Sequence, residues 1–185
     1  LARLPNYLEG KTVMSSTTAN PAVRRVVFSS ATDEWATPQD LFDSLDEEFG
    51  FVLDPCANRA NHKTPTWFGP DHPKRTRRDG LRGDWAAEVR AIDPRGAVWM
   101  NPPYGRDIAA WMAKAAATAE AGVTVVCLVP ARTDTQWFHQ SVLDRGGQVR
   151  FLKGRVKFGC AIHGAPFASL VVVLRSKAQV GRVAA

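Results

Sequence analysis

The run Val123–Pro130, VTVVCLVP, constrains the fold more than any other stretch of the chain. Its apolar residues do not alternate with polar ones, as they would in a strand with one wet face. A strand of this kind is covered on both sides. It therefore predicts an α/β layer, with helices packed above and below a mostly parallel sheet.

The flanking sequence supplies those layers. In TPQDLFDSLDEEFG, Thr37 reads as an N-cap and Pro38 as the first helical residue. Leu41, Phe42, Leu45 and Phe49 then share one helical face, and Gly50 ends the helix. FVLDPCA reads as a buried strand ending on an acid, Asp54, and TPTWF as a short strand. The basic stretch PDHPKRTRRDGLRGDW is loop-like. GAVWM is a strand, and Asp107 caps a helix to about residue 121. Ile108, Trp111, Met112, Ala115 and Ala119 form its apolar stripe, with Gly122 as its stop. DTQWFHQSVLDRGG predicts a helix that turns Trp137, Phe138 and Val142 inward, with His139 as a structural residue on that face. VRFLKGRVKFG and ASLVVVLR complete the set as two strands, expected to be antiparallel. Residues 1–31, polar and Pro-broken, predict a flexible arm. Residues 32–177 are then one domain and 178–185 a tail.

Bulk properties narrow the class. With 185 residues, 45% hydrophobic, the chain can bury one real core. No apolar run reaches the roughly 18 residues of a membrane span, so no membrane partner is expected. A net charge of +6 attracts polyanions, nucleic acid first. Cys56, Cys127 and Cys160 form no close pair. They predict neither a disulfide framework nor a metal site, and they fit a reducing cytoplasm. Leu1 stands where Met is usual, which suggests an unusual or trimmed start, with Met14 as an alternative.

In an open α/β sheet, ligands bind beyond the carboxyl ends of the strands. Asp54, Asn101 and Pro130 all fall at such ends. Asn101-Pro102-Pro103-Tyr104 is the unusual one. Its four letters also fit an ordinary turn, but a strand precedes it and a helix follows. Proline gives a stiff stub whose carbonyls stay free. The Asn101 side-chain oxygen and the Pro102 carbonyl can grip both hydrogens of a conjugated amine. That grip pulls the nitrogen toward a tetrahedral shape and frees its lone pair. Pro103 stiffens the pair, and preorganised acceptors need no rearrangement during reaction. No strong base is needed, because the amine turns acidic once alkylated. Tyr104 offers a face on which an extruded base can stack.

NPPY after a strand resembles the motif of amino-methyltransferases. TPQDLFDSLDEEFGFVLDPCA, VWMNPPYGR, VPARTDTQWFH, GRVKFG and APFASLVVV resemble, in that order, the phage-type DNA N-6-adenine methyltransferase family over roughly residues 33–175. The resemblance implies a Rossmann-like fold, S-adenosylmethionine as methyl donor, and adenine in double-stranded DNA as acceptor. It implies action in the cytoplasm of a bacterial or phage-infected cell. Asn101, Pro102, Pro103 and Tyr104 would be catalytic. The resemblance points to Asp54 and Asp84 for the cofactor, Asp54 at its amino acid part and Asp84 at its ribose or adenine. Asp84 also fits an N-cap before WAAEV. Trp35, Thr37 and Pro38 would border the methionine end, with Cys56 and Asn101 nearby; Trp35 also fits plain packing. PCAN stands where larger methyltransferases carry a Gly-rich loop. Few residues lie between the cofactor-like and catalytic blocks, so target reading falls to short loops, the N-terminal arm or a partner subunit. Lys74, Arg75, Arg77, Arg78 and Arg82 form one candidate cluster, and Arg132, Arg155 and Lys157 are further candidates. Other acceptor amines (cytosine N-4, an RNA base, protein glutamine) and an inactive DNA-binding module remain as alternatives.

Overall fold

The computed structural model describes residues 35–159, 163–176 and 179. The arm expected over 1–31, Cys160 and most of the expected tail lie outside the described residues.

Helix α1 (Gln39–Phe49) buries Phe42 and Leu45. Leu41 and Phe49 pack at the margin of the same face. Gly50 closes the helix at φ 63°, a left-handed conformation that costs glycine little. The start differs from expectation. Pro38, not Thr37, takes the N-cap position, and no side chain caps the helix. Thr37 is buried one residue earlier, where its hydroxyl accepts a bond from Asn101.

Strand β1 (Phe51–Asp54) follows at once, then β2 (Thr66–Trp67). A 3-10 turn at Arg75–Arg77 breaks the basic loop before helix α2 (Trp85–Ile92). Next come β3 (Ala97–Met100), α3 (Ile108–Glu120) and β4 (Val125–Pro130). Asp107 holds the N-cap position of α3, but its carboxylate makes no capping bond. The Trp137 region forms a short α4 (Gln136–Phe138) that widens into a π-helical turn at His139–Leu143. Trp137, Phe138 and Val142 are buried there as expected. His139 is instead exposed, with Nε2 3.0 Å from the Thr133 carbonyl. Of VRFLKGRVKFG, only β5 (Gln148–Phe151) pairs as a strand; β6 (Ser169–Leu174) ends the sheet.

The strand order is β2-β1-β3-β4-β6-β5. β1, β2, β3 and β4 run parallel. β6 is antiparallel to both β4 and β5, so it alone carries the reversal expected at the C-terminal end. All six residues of β4 and all six of β6 are buried. Their pairing runs from Val125↔Leu174 to Pro130↔Ser169 and forms the spine of the core. Among the described residues, no helix is long and apolar enough to cross a membrane.

Leu128 lies at the middle of this spine and is fully buried. We expect Leu128→Ala to lower unfolding free energy by about 2–5 kcal/mol, read from urea titration. A loss under about 1 kcal/mol would place the centre of the core elsewhere.

Candidate active site

β1 and β3 are sheet neighbours, so their carboxyl ends open side by side. A cavity of about 350 Å³ lies across those ends. Asp54 to Ala57 line one part of it and Asn101 to Pro103 another. Asp54 is 3% exposed. Its Oδ1 accepts from the Cys56 N–H at 3.3 Å and its Oδ2 from the Lys63 N–H at 3.0 Å. Burial pushes its pKa up from 3.8 to about 6, against the pull of those two bonds. A buried carboxylate in this condition favours a cation beside it.

The loop after β1 carries no glycine, yet it is approached very closely. A Cβ on Gly69 would lie 1.7 Å from the Ala57 carbonyl oxygen, and one on Gly80 2.1 Å from that of Pro55. The glycines that permit close approach thus stand in the opposing loops. Lys63, Arg78 and Asp79 complete the charged lining, with Asn58, Asn61, Phe68 and Trp111.

Asn101 sits where β3 ends. Its Nδ2 donates to the Trp35 carbonyl and to Thr37 Oγ1, the latter at 3.0 Å. Its Oδ1 accepts from the Tyr104 hydroxyl at 2.8 Å. A peptide carbonyl can only accept, so Trp35 settles which way the amide faces. One Oδ1 lone pair remains available. The Pro102 carbonyl takes no backbone donor among the described residues. Tyr104 departs from expectation. Its ring is 5% exposed, enclosed by Trp35, Phe158 and Phe167, and absent from the cavity wall. Its hydroxyl lies 3.2 Å from the Leu128 carbonyl, and burial raises its pKa.

Residues 26–178 match the family described as DNA N-6-adenine-methyltransferase (Dam). The chain belongs to the Dam family. No curated protein matches it. Family membership implies methylation of adenine N-6 in DNA, and with it a methyl donor and a DNA substrate.

The other expected site residues of this Dam-family chain divide. Trp35, Thr37 and Cys56 join Asp54 and Asn101 in the cavity wall. Burial raises the Cys56 thiol pKa, which leaves it a neutral lining group. Pro38 is outside the wall. Asp84 lies outside the wall: it is exposed and its carboxylate accepts from the Ala87 N–H at 3.0 Å, the α2 cap that the sequence left open for it. Asp79 takes the cavity position instead, its Oδ1 also holding the Leu81 N–H at 3.0 Å. Lys63 and Trp111 were missed as well. Trp111 reads as part of a helical apolar stripe, and it does stack on Trp85 at 6.1 Å, but it also borders the cavity. Among the described residues no three His, Cys, Asp or Glu side chains are grouped so that they could hold a metal ion.

The basic residues are not one set. Arg77 is paired with Glu88 at 2.6 Å and lies over the Phe68 ring, so it is a structural cation. Arg78 donates through Nε to the His72 carbonyl at 2.9 Å and lines the cavity. Arg82 pairs with Asp79 at 3.3 Å, both well exposed. Lys74 and Arg75 are exposed beside the 3-10 turn. Arg155 and Lys157 are exposed on the segment after β5, while Arg132 is half-buried beyond β4.

Two outcomes follow from these placements. Asp54 binds its proton more tightly folded than unfolded, so it makes stability fall as pH rises from about 4 to 6. Unfolding midpoints across pH should show that fall in the parent chain and a flatter profile in Asp54→Asn. Equal profiles would mean the Asp54 carboxyl is solvated. Changing Lys74 and Arg75 together to Ala should flatten the slope of log DNA affinity against log salt by about 1–2 units. Arg77→Ala should lower stability instead.

Proposed function

We propose that the protein transfers the methyl group of S-adenosylmethionine to the N-6 amine of adenine in double-stranded DNA, with Asn101 and the Pro102 carbonyl gripping that amine. One observation carries this reading: Asp54 and the Asn101-Pro102-Pro103 stub line the same cavity. The strand order and the lone antiparallel β6 support a Rossmann-like methyltransferase fold.

The lining suits the donor's chemistry. S-adenosylmethionine supplies a methyl carbon made electrophilic by its sulfonium. Its amino acid end is a zwitterion, and the wall holds both signs of charge to meet one. Asp54 would hold the ammonium, which supplies the cation its burial lacks. Lys63 would hold the carboxylate; its Nζ is already steadied by Gln39 Oε1 at 2.7 Å. Asp79 would serve the hydroxyl-rich end in place of Asp84.

Asn101 is preorganised for the amine. Both acceptors of its Nδ2 hydrogens push electron density toward Oδ1 and strengthen it as an acceptor. The Tyr104 hydroxyl has the Leu128 carbonyl as a second partner, so it can yield Oδ1 to an incoming N–H. Once methylated, the amine sheds its proton to water. Exposed Lys74, Arg75, Arg155 and Lys157 would hold phosphates. The setting would be the cytoplasm of a bacterial or phage-infected cell.

Mass spectrometry of digested DNA after reaction with labelled donor tests the reading. N-6-methyladenine is the expected product; label in N-4-methylcytosine, or only in protein, would overturn the acceptor. Asn101→Ala should cut turnover by about 100-fold, with donor affinity from calorimetry nearly unchanged. Normal turnover in that variant would remove Asn101 from the chemistry.

A further inference from the structure

β5 runs antiparallel to β6, and β6 antiparallel to β4, so β5 recovers the direction of β3 and β4. Its carboxyl end therefore lies at the same sheet edge as Asn101. Register fixes the level. Met100 pairs with Cys127, Cys127 with Val172, and Val172 with Val149. Two residues further along each chain stand Pro102 and Phe151. They are level with each other, three strand spacings or roughly 14 Å apart. Arg150 turns to α1, where Glu48 Oε1 holds it at 2.6 Å. Phe151, the next residue, points to the other face of the sheet and is 81% exposed. A lone exposed aromatic needs no explanation. This one opens a segment with a regular pattern. Leu152 and Val156 are partly buried and Phe158 is buried, while Lys153, Arg155 and Lys157 between them are exposed. The segment is fastened to the active site. Phe158 sets its edge against Trp35 and Tyr104 at 5.2 and 5.9 Å, and the Gly159 N–H donates to the Ala36 carbonyl at 2.7 Å. Its middle is held as well, where the Ala165 N–H donates to the Val156 carbonyl at 2.8 Å.

We infer that residues 151–157 are a DNA-contact strip in which Lys153, Arg155 and Lys157 hold phosphates and the Phe151 ring enters the base stack, filling the space that the target adenine leaves. This inference rests on the functional reading above, and it adds Phe151 and Lys153 to the phosphate contacts given there. Charge selects the occupant. Exposed cations follow the ring at Lys153, Arg155 and Lys157, so the strip suits a polyanion. A second copy paired along β5 would instead bring like charges together. Position selects the role. An adenine that meets Asn101 has left its duplex, and a base that leaves opens a gap in the stack. Phenylalanine is one of the apolar side chains that enter between base steps. At 81% exposure its ring keeps apolar surface in water, and entry into the stack buries that surface. The fastenings at Phe151 in the sheet and at Phe158 and Gly159 beside Asn101's partners hold the strip fixed relative to the amine grip. Wedge and grip thus work from one rigid sheet edge.

The probe is a duplex carrying the adenine that base-modification mapping finds in DNA methylated by the parent chain. Phe151→Ala should lower kcat/KM on it by about 10-fold, and Phe151→Trp should restore most of the rate. A mismatched target adenine costs less to extrude, so on a mismatched duplex the Phe151→Ala defect should largely vanish. Melting temperature, and S-adenosylhomocysteine affinity by calorimetry, should match the parent in Phe151→Ala. Anisotropy titration across salt concentrations tests the cations. Lys153, Arg155 and Lys157 changed together to Ala should flatten the slope of log affinity against log salt by about 2–3 units, while Phe151→Ala leaves it unchanged. Full activity in Phe151→Ala, or an equal defect on matched and mismatched duplexes, would overturn the wedge. A parent dimer in sedimentation that Phe151→Ala dissociates would overturn it too, by giving the ring to a second copy. An unaltered salt slope in the triple variant would overturn the strip. No adenine methylation by the parent chain would instead defeat the functional reading, and the salt slope on any duplex would still decide whether the strip holds DNA.

Discussion

The site depends on the Asn101 amide, which ties together segments that the chain keeps far apart. Nδ2 fastens the stretch before α1, through Trp35 and Thr37, to the end of β3. Oδ1 fastens the Tyr104 turn, whose hydroxyl also reaches the carbonyl of Leu128 in β4. Thr37, Tyr104 and Leu128 are buried and Asn101 is half-buried, and a polar group left unpaired in such surroundings would cost about 1–3 kcal/mol. The same bonds that avoid that cost leave one acceptor lone pair pointing nowhere within the protein. Stability and readiness for a substrate amine come from one arrangement.

Asp54 shows the opposite balance. Two peptide N–H groups are too little for a carboxylate so deeply buried, and its raised pKa records the shortfall. A carboxylate kept at a strand end against its own solvation free energy makes sense where a cation completes it. Lys63 contributes its backbone N–H to Asp54 but directs its ammonium to Gln39, so its charge acts on the acid from a distance and burial still dominates.

Much of this was legible from sequence, for physical reasons that differ by residue. The unbroken apolar runs of β3 and β4 and the i, i+4, i+7, i+11 spacing of Ile108, Met112, Ala115 and Ala119 in α3 are local patterns that burial obeys. Asp54 and Asn101 could be singled out because strand ends are where an open sheet binds ligands. What failed was whatever depends on which partner takes a side chain. Asp79 and Asp84 lie in one loop and look alike in sequence. Only the start of α2 at Trp85 commits Asp84 to a cap and leaves Asp79 to the cavity. Arg77 reads as one more phosphate-binding cation until Glu88, on α2, is seen to hold it. Tyr104 reads as exposed beside two prolines; Phe158 and Phe167, from beyond β5, decide otherwise.

The absence of glycine after β1 follows the same logic. Close approach between two loops requires only that one of them lack a Cβ at the contact. Here Gly69 and Gly80 meet the carbonyls of Ala57 and Pro55, so the β1 loop is free to use Pro55, Cys56 and Asn58 as lining. The glycine requirement belongs to the contact, not to a position along the chain. A motif search confined to the β1 loop looks on the wrong side of that contact. Placing the glycines in the opposing loops lets the β1 loop keep its own side chains in the cavity wall. The 3-10 turn between those two glycines then faces outward. Lys74, Arg75 and Arg78 are all exposed, and Arg78 also lines the cavity. A single loop thereby carries basic side chains from the exposed surface to the cavity wall.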